Sequence, residues 1–231
     1  MATSIIGITD CSKYENYVAW FSTEDVQIIK LSPKENNIQD LEKCDGLVLT
    51  GGGDIHPKYF GHPDWMNKKE ELKLDVDEER DAFEMIIIDN AVKNNMPILG
   101  ICRGMQITNV YFKGTLIPDI NEASANLHSK KSGVDINHAI NIEVNSLLSK
   151  IVGCNAGIVN SAHHQAIHQV GEGLKHSAIT VDGIVEALEW KTPDKKPFLM
   201  LIQWHPERME DQESSFSNKI KKEFLAQLIK K

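Results

Sequence analysis

Short apolar runs bounded by polar or turn residues recur along the first half of the chain. SIIGI (4–8), DVQIIKL (25–31), DGLVLT (45–50) and PILGI (97–101) all have the form that buried parallel strands take. Between them the period changes. A short helical pattern spans Tyr14 to Phe21, and DEERDAFEMIIIDNAVKNN (77–95) places Ala82, Phe83, Ile86, Ile87 and Ala91 near helical spacing. Asp77, Glu78 and Glu79 suit the positive end of that helix, and Asn94, Asn95 and Pro97 stop it. A strand, a helix and a second strand in this order predict a right-handed parallel crossover.

The second half changes character. HAINIEV (138–144), GIVNS (157–161), LKHSAITV (174–181), GIVEALEW (ending at Trp190) and FLMLIQW (198–204) are strand-like, with few helices between them. Asp182-Gly183 is the signal of a tight hairpin, so antiparallel strands are expected beside the parallel ones. From Ser214 to Lys231 the pattern is that of an amphipathic helix, with Phe216, Ile220, Phe224 and Leu228 on one stripe. The expected fold is a single α/β domain over residues 1–231. Its central sheet is flavodoxin-like and mostly parallel, with helices on both faces and antiparallel additions late in the chain.

Composition narrows the classes of function. Hydrophobic residues make up 41% of the 231 positions and charged residues 25%, ordinary values for a globular protein. No apolar run reaches the length of a membrane span, and the N-terminus lacks the basic start and apolar core of a signal peptide, so a cytoplasmic location is expected. The net charge is −8 and the lysines form no basic stripe, which argues against nucleic acid. The four cysteines, Cys11, Cys44, Cys102 and Cys154, form no CxxC pair, and no HExxH occurs. A zinc site or disulfide scaffold is therefore not expected.

One cysteine has a distinctive frame. In Gly100-Ile101-Cys102-Arg103-Gly104 an apolar strand meets the start of a helix, with glycine two residues to either side. This is the nucleophile-elbow arrangement with sulfur in place of oxygen. The helix N-terminus favours thiolate, and the Arg103 N–H is placed to hold an oxyanion. A buried cysteine at a strand end has the same local pattern. Near the C-terminus, His205-Pro206-Glu207 ends an apolar strand, and positions i and i+2 of an extended segment share a face. A carboxylate beside an imidazole makes a base and its orienter; a surface histidine near a solvated acid reads identically. LVLTGGGDIHP (47–57) opens a strand into three glycines, which permits close approach of backbone to a substrate or simply a turn.

These pieces, in this order, resemble the class I glutamine amidotransferases. Within that superfamily they resemble the peptidase C26 group, the gamma-glutamyl-gamma-aminobutyrate hydrolases. GGGD, DEERDAFE, LGICRGMQITNV, GTLIPDI, VNSAHHQAI, DGIVEALE and QWHPE carry the likeness, from about Asp45 to Glu207. The resemblance implies Cys102 as nucleophile, His205 as base and Glu207 as third member of a triad. It implies Gly52 as oxyanion donor, with Gly53 the less favoured choice and the Arg103 N–H as companion. Gln106 is implied to help hold the glutamyl group. His163 and His164, with Gln165, match a signature near the pocket, with buried hydrogen bonding and substrate contact both open as roles. His56, Lys113 and Pro118 depart from the family pattern, and His56 is expected on the leaving-group side.

The implied reaction is hydrolysis of a gamma-glutamyl amide through a glutamyl thioester, with no metal or organic cofactor. The implied partner is a small-molecule gamma-glutamyl substrate rather than nucleic acid or membrane, and a homodimer is allowed. Two other readings remain: a glutaminase subunit passing ammonia to a separate synthase, and a non-catalytic binding module on the same fold.

Overall fold

The computed structural model describes residues 3–23, 25–120 and 122–228. Its centre is a nine-stranded sheet. The strands are β1 (Ser4–Thr9), β2 (Val26–Leu31), β3 (Gly46–Leu49), β4 (Ile98–Ile101), β6 (Ile136–Ile142), β7 (Ala156–Ser161), β9 (Leu174–Thr180), β10 (Val185–Trp190) and β11 (Leu199–Ile202). Their order is β2-β1-β3-β4-β11-β10-β9-β6-β7. The first five are mutually parallel, and β10, β9, β6 and β7 continue antiparallel. The parallel portion has the flavodoxin-like order, which reverses between β1 and β3. Ligands of such sheets bind beyond the carboxyl ends of the strands near that reversal.

Helices α1 (Tyr14–Phe21), α2 (Glu78–Lys93), α3 (Arg103–Tyr111), α4 (Glu122–His128), α5 (Leu147–Val152) and α6 (Ile220–Ala226) connect or cover the strands. Two apolar clusters lie against the sheet. One joins β1, β4, β6 and β11 to α1 and the C-terminal helix through Ile8, Trp20, Phe21, Met200 and Phe224. The other joins α2 and α3 to the opposite face through Phe83, Ile87, Met105, Leu49 and Leu201. The predicted stripe of Phe216, Ile220, Phe224 and Leu228 is buried as expected. The helical run is Ser215–Ala226, opening with a π-helical turn over Ser215–Lys219. The last three residues of the expected helix, 229–231, lie outside the described residues.

Two expectations need correction, and one element was not foreseen. The strand read over 198–204 stops at Ile202. Ile86, placed on the buried stripe of α2, is 48% exposed, and the buried face instead carries Arg80, Asp81 and Glu84 in line with Phe83 and Ile87. A small separate sheet, β5 (Thr115–Ile117) with β8 (Ala166–Gln169), had no counterpart in the pattern, because three- and four-residue strands are too short to show a period. The Asp182-Gly183 hairpin forms between β9 and β10, with Gly183 at φ +85°, a conformation that favours glycine.

Candidate active site

Cys102 follows β4 and opens α3. Its φ is +53° and its ψ −109°, so a residue with a side chain is held in strained backbone. Such strain costs about 1–3 kcal/mol and persists only where the surroundings enforce it. They do so here. The Cys102 N–H donates to Ile202 O (2.7 Å), tying the elbow to β11, and its carbonyl accepts from the amides of Met105 (3.0 Å) and Gln106 (3.2 Å).

The flanking glycines answer to space. A Cβ on Gly104 would lie 2.3 Å from Leu49 O, and one on Gly100 would lie 2.9 Å from the Gly104 carbonyl. Backbone is the obstacle at Gly104, and at Gly100 the Leu201 side chain (2.7 Å) adds to it. We expect Gly104→Ala to cost about 1–3 kcal/mol, as overpacking does, and to lower Tm by several degrees. Thermal unfolding measures it, and an unchanged Tm would mean that the elbow has slack.

His205 and Glu207 reach the same place from the end of β11. The His205 Nδ1 to Glu207 Oε1 distance is 2.9 Å. The sequence suggested an extended segment for the pair. In fact Pro206–Arg208 forms a 3-10 turn, and the turn folds the carboxylate back onto the ring. Asn160 clamps the histidine backbone in both directions: His205 N–H donates to Asn160 Oδ1 and Asn160 Nδ2 donates to His205 O, each at 3.0 Å. The ring also feels Cys102, which favours its charged form. Burial disfavours the imidazolium, but the Glu207 carboxylate and Cys102 outweigh it and push the His205 pKa up to about 9.

Cys102, His205 and the loop Gly51–Gly53 border one cavity of about 340 Å³. A Cβ on Gly51 would lie 2.8 Å from His205 Cε1 and 3.5 Å from Cys102 Cβ, so that loop passes directly over the pair. The Gly51 N–H donates to Tyr17 Oη at 2.9 Å, which leaves the amides of Gly52 and Gly53 as the loop's remaining donors.

Other residues singled out in the sequence are placed as follows. Gln106 borders the cavity, but its amide nitrogen is spent on Gln165 O (2.8 Å) and Gln203 Oε1 (3.2 Å). His164 borders the cavity between Asp54 and Asp119, each at 3.1 Å, and these carboxylates raise its pKa. His163 is buried, with one ring nitrogen on Gln165 O (3.0 Å) and the other on His128 Nδ1 (3.1 Å). The expectation for His56 is wrong. Its imidazole caps the Lys58 amide and faces Glu78, and it does not border the cavity.

Several residues of the site were missed. Cys11, just after β1, borders the cavity, and burial raises its thiol pKa. Gln203 Nε2 lies 3.4 Å from Cys102 Sγ; it was the one polar residue inside an apolar run ending at Trp204. Behind the cavity sits a buried charge network. Arg80 donates to Glu84 Oε1 (2.8 Å) and to the carbonyls of Thr50 (3.2 Å) and Gly51 (3.0 Å). Arg103 pairs with Glu84 and Asp81. The network fastens the glycine loop to the elbow. The signal available in the sequence was charge at positions 80, 81 and 84 within an apolar helical stripe.

The fold is that of the class I glutamine amidotransferases. A Thermoplasma acidophilum protein described as a GMP synthase component superposes with TM-score 0.67 at 17% identity, covering 98% of this chain and 96% of that one. The glutaminase domain of a Trypanosoma brucei CTPS, solved with bound acivicin, gives 0.66 at 15%, covering 99% and 96%. Sequence is more specific. The peptidase C26 family model matches residues 6–207, and the chain belongs to that family. It is 35% identical to a Rickettsia prowazekii protein named as glutamine amidotransferase-like, across 90% of this chain and 92% of that one. It is 33% identical to the gamma-glutamyl-gamma-aminobutyrate hydrolase of Escherichia coli K12, across 73% of this chain and 66% of that one. Family and relatives together support a hydrolase. Among the described residues no helix is long and apolar enough to cross a membrane.

Proposed function

We propose that the protein hydrolyses gamma-glutamyl amides by covalent catalysis at Cys102. The observation that carries this reading is the strained, cavity-facing cysteine beside a histidine already hydrogen-bonded to a buried carboxylate. The Cys102 thiolate attacks the gamma carbonyl carbon, and the Gly52 and Arg103 amides hold the resulting oxyanion, with Gly53 as the alternative loop donor. The C–N bond breaks as the His205 imidazolium protonates the leaving amine, giving a glutamyl thioester. Water then attacks, its proton passing to His205, and glutamate and thiolate are released. Glu207 fixes the tautomer of the ring and stabilises its charged form.

The glutamyl half of the substrate is bound by groups near Gln106 and His164, and the leaving amine varies. The test is a panel of gamma-glutamyl amides, glutamine included, against versions blocked at the alpha-amino or alpha-carboxyl group. Free compounds should react and blocked ones should lose about 10- to 100-fold in kcat/KM, since buried partners left unpaired cost about 1–3 kcal/mol each. Equal rates on both would make the protein a general amidase. Turnover of glutamine alone, and only with a partner protein, would favour the ammonia-donating reading.

The raised His205 pKa sets a pH dependence. Acylation needs the imidazolium, so kcat/KM should fall as pH rises through about 9. The same shift stabilises the fold. With the folded value above the ordinary 6.5, the stabilisation is complete below about pH 6.5 and is lost as pH rises through about 9. In Glu207→Gln the alkaline limb should move to lower pH. A pH–rate profile of both proteins reads this, and coincident limbs would detach Glu207 from the histidine.

A further inference from the structure

Beside the cavity, which His163 borders, and apart from the triad, three histidines and a glutamate converge from four separate segments. His128 ends α4, His138 lies on β6, His163 follows β7 and Glu186 lies on β10. Their side chains are at most 5% exposed, and those of His128 and Glu186 are fully buried. His128 Nδ1 lies 3.3 Å from Glu186 Oε1, His163 Nε2 lies 3.4 Å from the same oxygen, and His138 Nε2 lies 3.3 Å from Oε2. His128 Nδ1 and His163 Nε2 are 3.1 Å apart. Among the described residues, no hydrogen bond of normal geometry reaches either Glu186 oxygen or His138 Nε2.

The outward nitrogens explain why. His138 Nδ1 faces Leu127 O (3.0 Å), His163 Nδ1 faces Gln165 O (3.0 Å) and His128 Nε2 faces Asp182 Oδ1 (3.3 Å). Each of these partners is an acceptor, so each outward nitrogen carries the proton. With the rings neutral, these tautomers turn three lone pairs inward onto a buried carboxylate. A cluster made only of acceptors is repulsive without positive charge at its centre. Outward N–H groups held by carbonyls and a carboxylate are also how metal-ligating histidines are oriented.

We propose that His128, His138, His163 and Glu186 bind one zinc ion. Imidazole and carboxylate donors suit zinc, and bonds of about 2.0–2.2 Å in a tetrahedron place the donors about 3.3–3.5 Å apart. Four separations in the cluster, three to Oε1 or Oε2 of Glu186 and one between His128 and His163, run from 3.1 to 3.4 Å, near that spacing, whereas charge-assisted hydrogen bonds run shorter, at about 2.7–2.9 Å. His128, His138 and Glu186 already offer donor atoms within 4.8 Å of one another, and binding requires that group to close and His163, which lies outside it, to move in with them. With all four positions supplied by the chain, the site is structural and leaves no place for substrate. Its effect on the cavity runs through His163. That ring and Gln106 both donate to Gln165 O, so the ion braces the segment 163–165 that borders the cavity.

The test is metal content of untagged protein, purified from zinc-supplemented cells and dialysed against a weak chelator. One equivalent of zinc is expected in the wild type and in Cys102→Ser, which removes the competing thiol. His138→Gln and Glu186→Gln should lose it. A strong chelator should lower the wild-type Tm, with zinc restoring it. Cobalt substitution should give tetrahedral bands without a sulfur charge-transfer band, and this reading stands even if the variants fail to fold. Wild-type protein that takes up no zinc and keeps its Tm in chelator would overturn the proposal and leave the charge to protons on the imidazoles. Zinc lost in Cys102→Ser would overturn it too.

Discussion

Alanine in place of Cys102 should lower kcat/KM on a gamma-glutamyl amide by about 10⁴-fold or more, equivalent to about 5.5 kcal/mol or more of transition-state stabilisation. The substitution deletes the atom that forms the covalent bond, and the oxyanion amides and the binding groups are left to supply whatever rate remains. His205→Ala should fall to the same level, because the ring serves as proton donor in one half of the reaction and acceptor in the other. The double variant should be no slower than either single one, since residues acting as a unit are not additive. Glu207→Gln should retain more activity, because it disturbs only the orientation and charge of the ring. The measurement is kcat/KM for all four variants on one substrate. Activity near wild type in Cys102→Ala removes the mechanism, and an additive double variant removes the coupling between cysteine and histidine.

The second large effect concerns stability. Glu84 is fully buried and carries both Arg80 and Arg103. Burial alone would raise its pKa, yet the two guanidinium groups hold it below the usual carboxylate range. Glu84→Leu keeps the volume roughly constant and leaves two buried cations sharing Asp81 and a few carbonyls. Breaking one side of such a network costs about 3–5 kcal/mol. Denaturant unfolding should show that loss in the midpoint, with the slope unchanged. Arg80 also holds the Thr50 and Gly51 carbonyls, so any protein that folds should be slower as well as weaker. A loss below about 1 kcal/mol would mean that the network is solvated in solution.

The elements of the candidate site were readable because each is local. The glycine-framed Cys102, the Gly51–Gly53 turn and His205-Pro206-Glu207 each occupy a few consecutive residues at a strand end, where tight turns demand particular side chains. The parallel strands and the C-terminal stripe were readable for a related reason: burial on both faces, or on one, leaves a period. What could not be read is what burial does to charge. Arg80, Asp81 and Glu84 interrupt an apolar stripe close to a helix start, where charge is ordinarily solvated, and only packing against Arg103 places them inside. His128, His138, His163 and Glu186 come from segments with no common spacing, so a search built on cysteine pairs and HExxH passes over them. His56 misled because neighbouring the glycine turn in sequence is not the same as facing the cavity.

The position of β11 has a consequence for synthesis. This strand is the last of the sheet to leave the ribosome, yet it lies in the middle, between β4 and β10. Until Leu199–Ile202 is available, the parallel and antiparallel halves each present an open inner edge, and pairing across about a hundred residues must wait. The elbow also lacks the Ile202 carbonyl that accepts from the Cys102 amide, and His205 does not yet exist. On the mechanism proposed above, a nascent chain therefore carries its sulfur without its base, and cleavage can begin only when the closing strand slides into place.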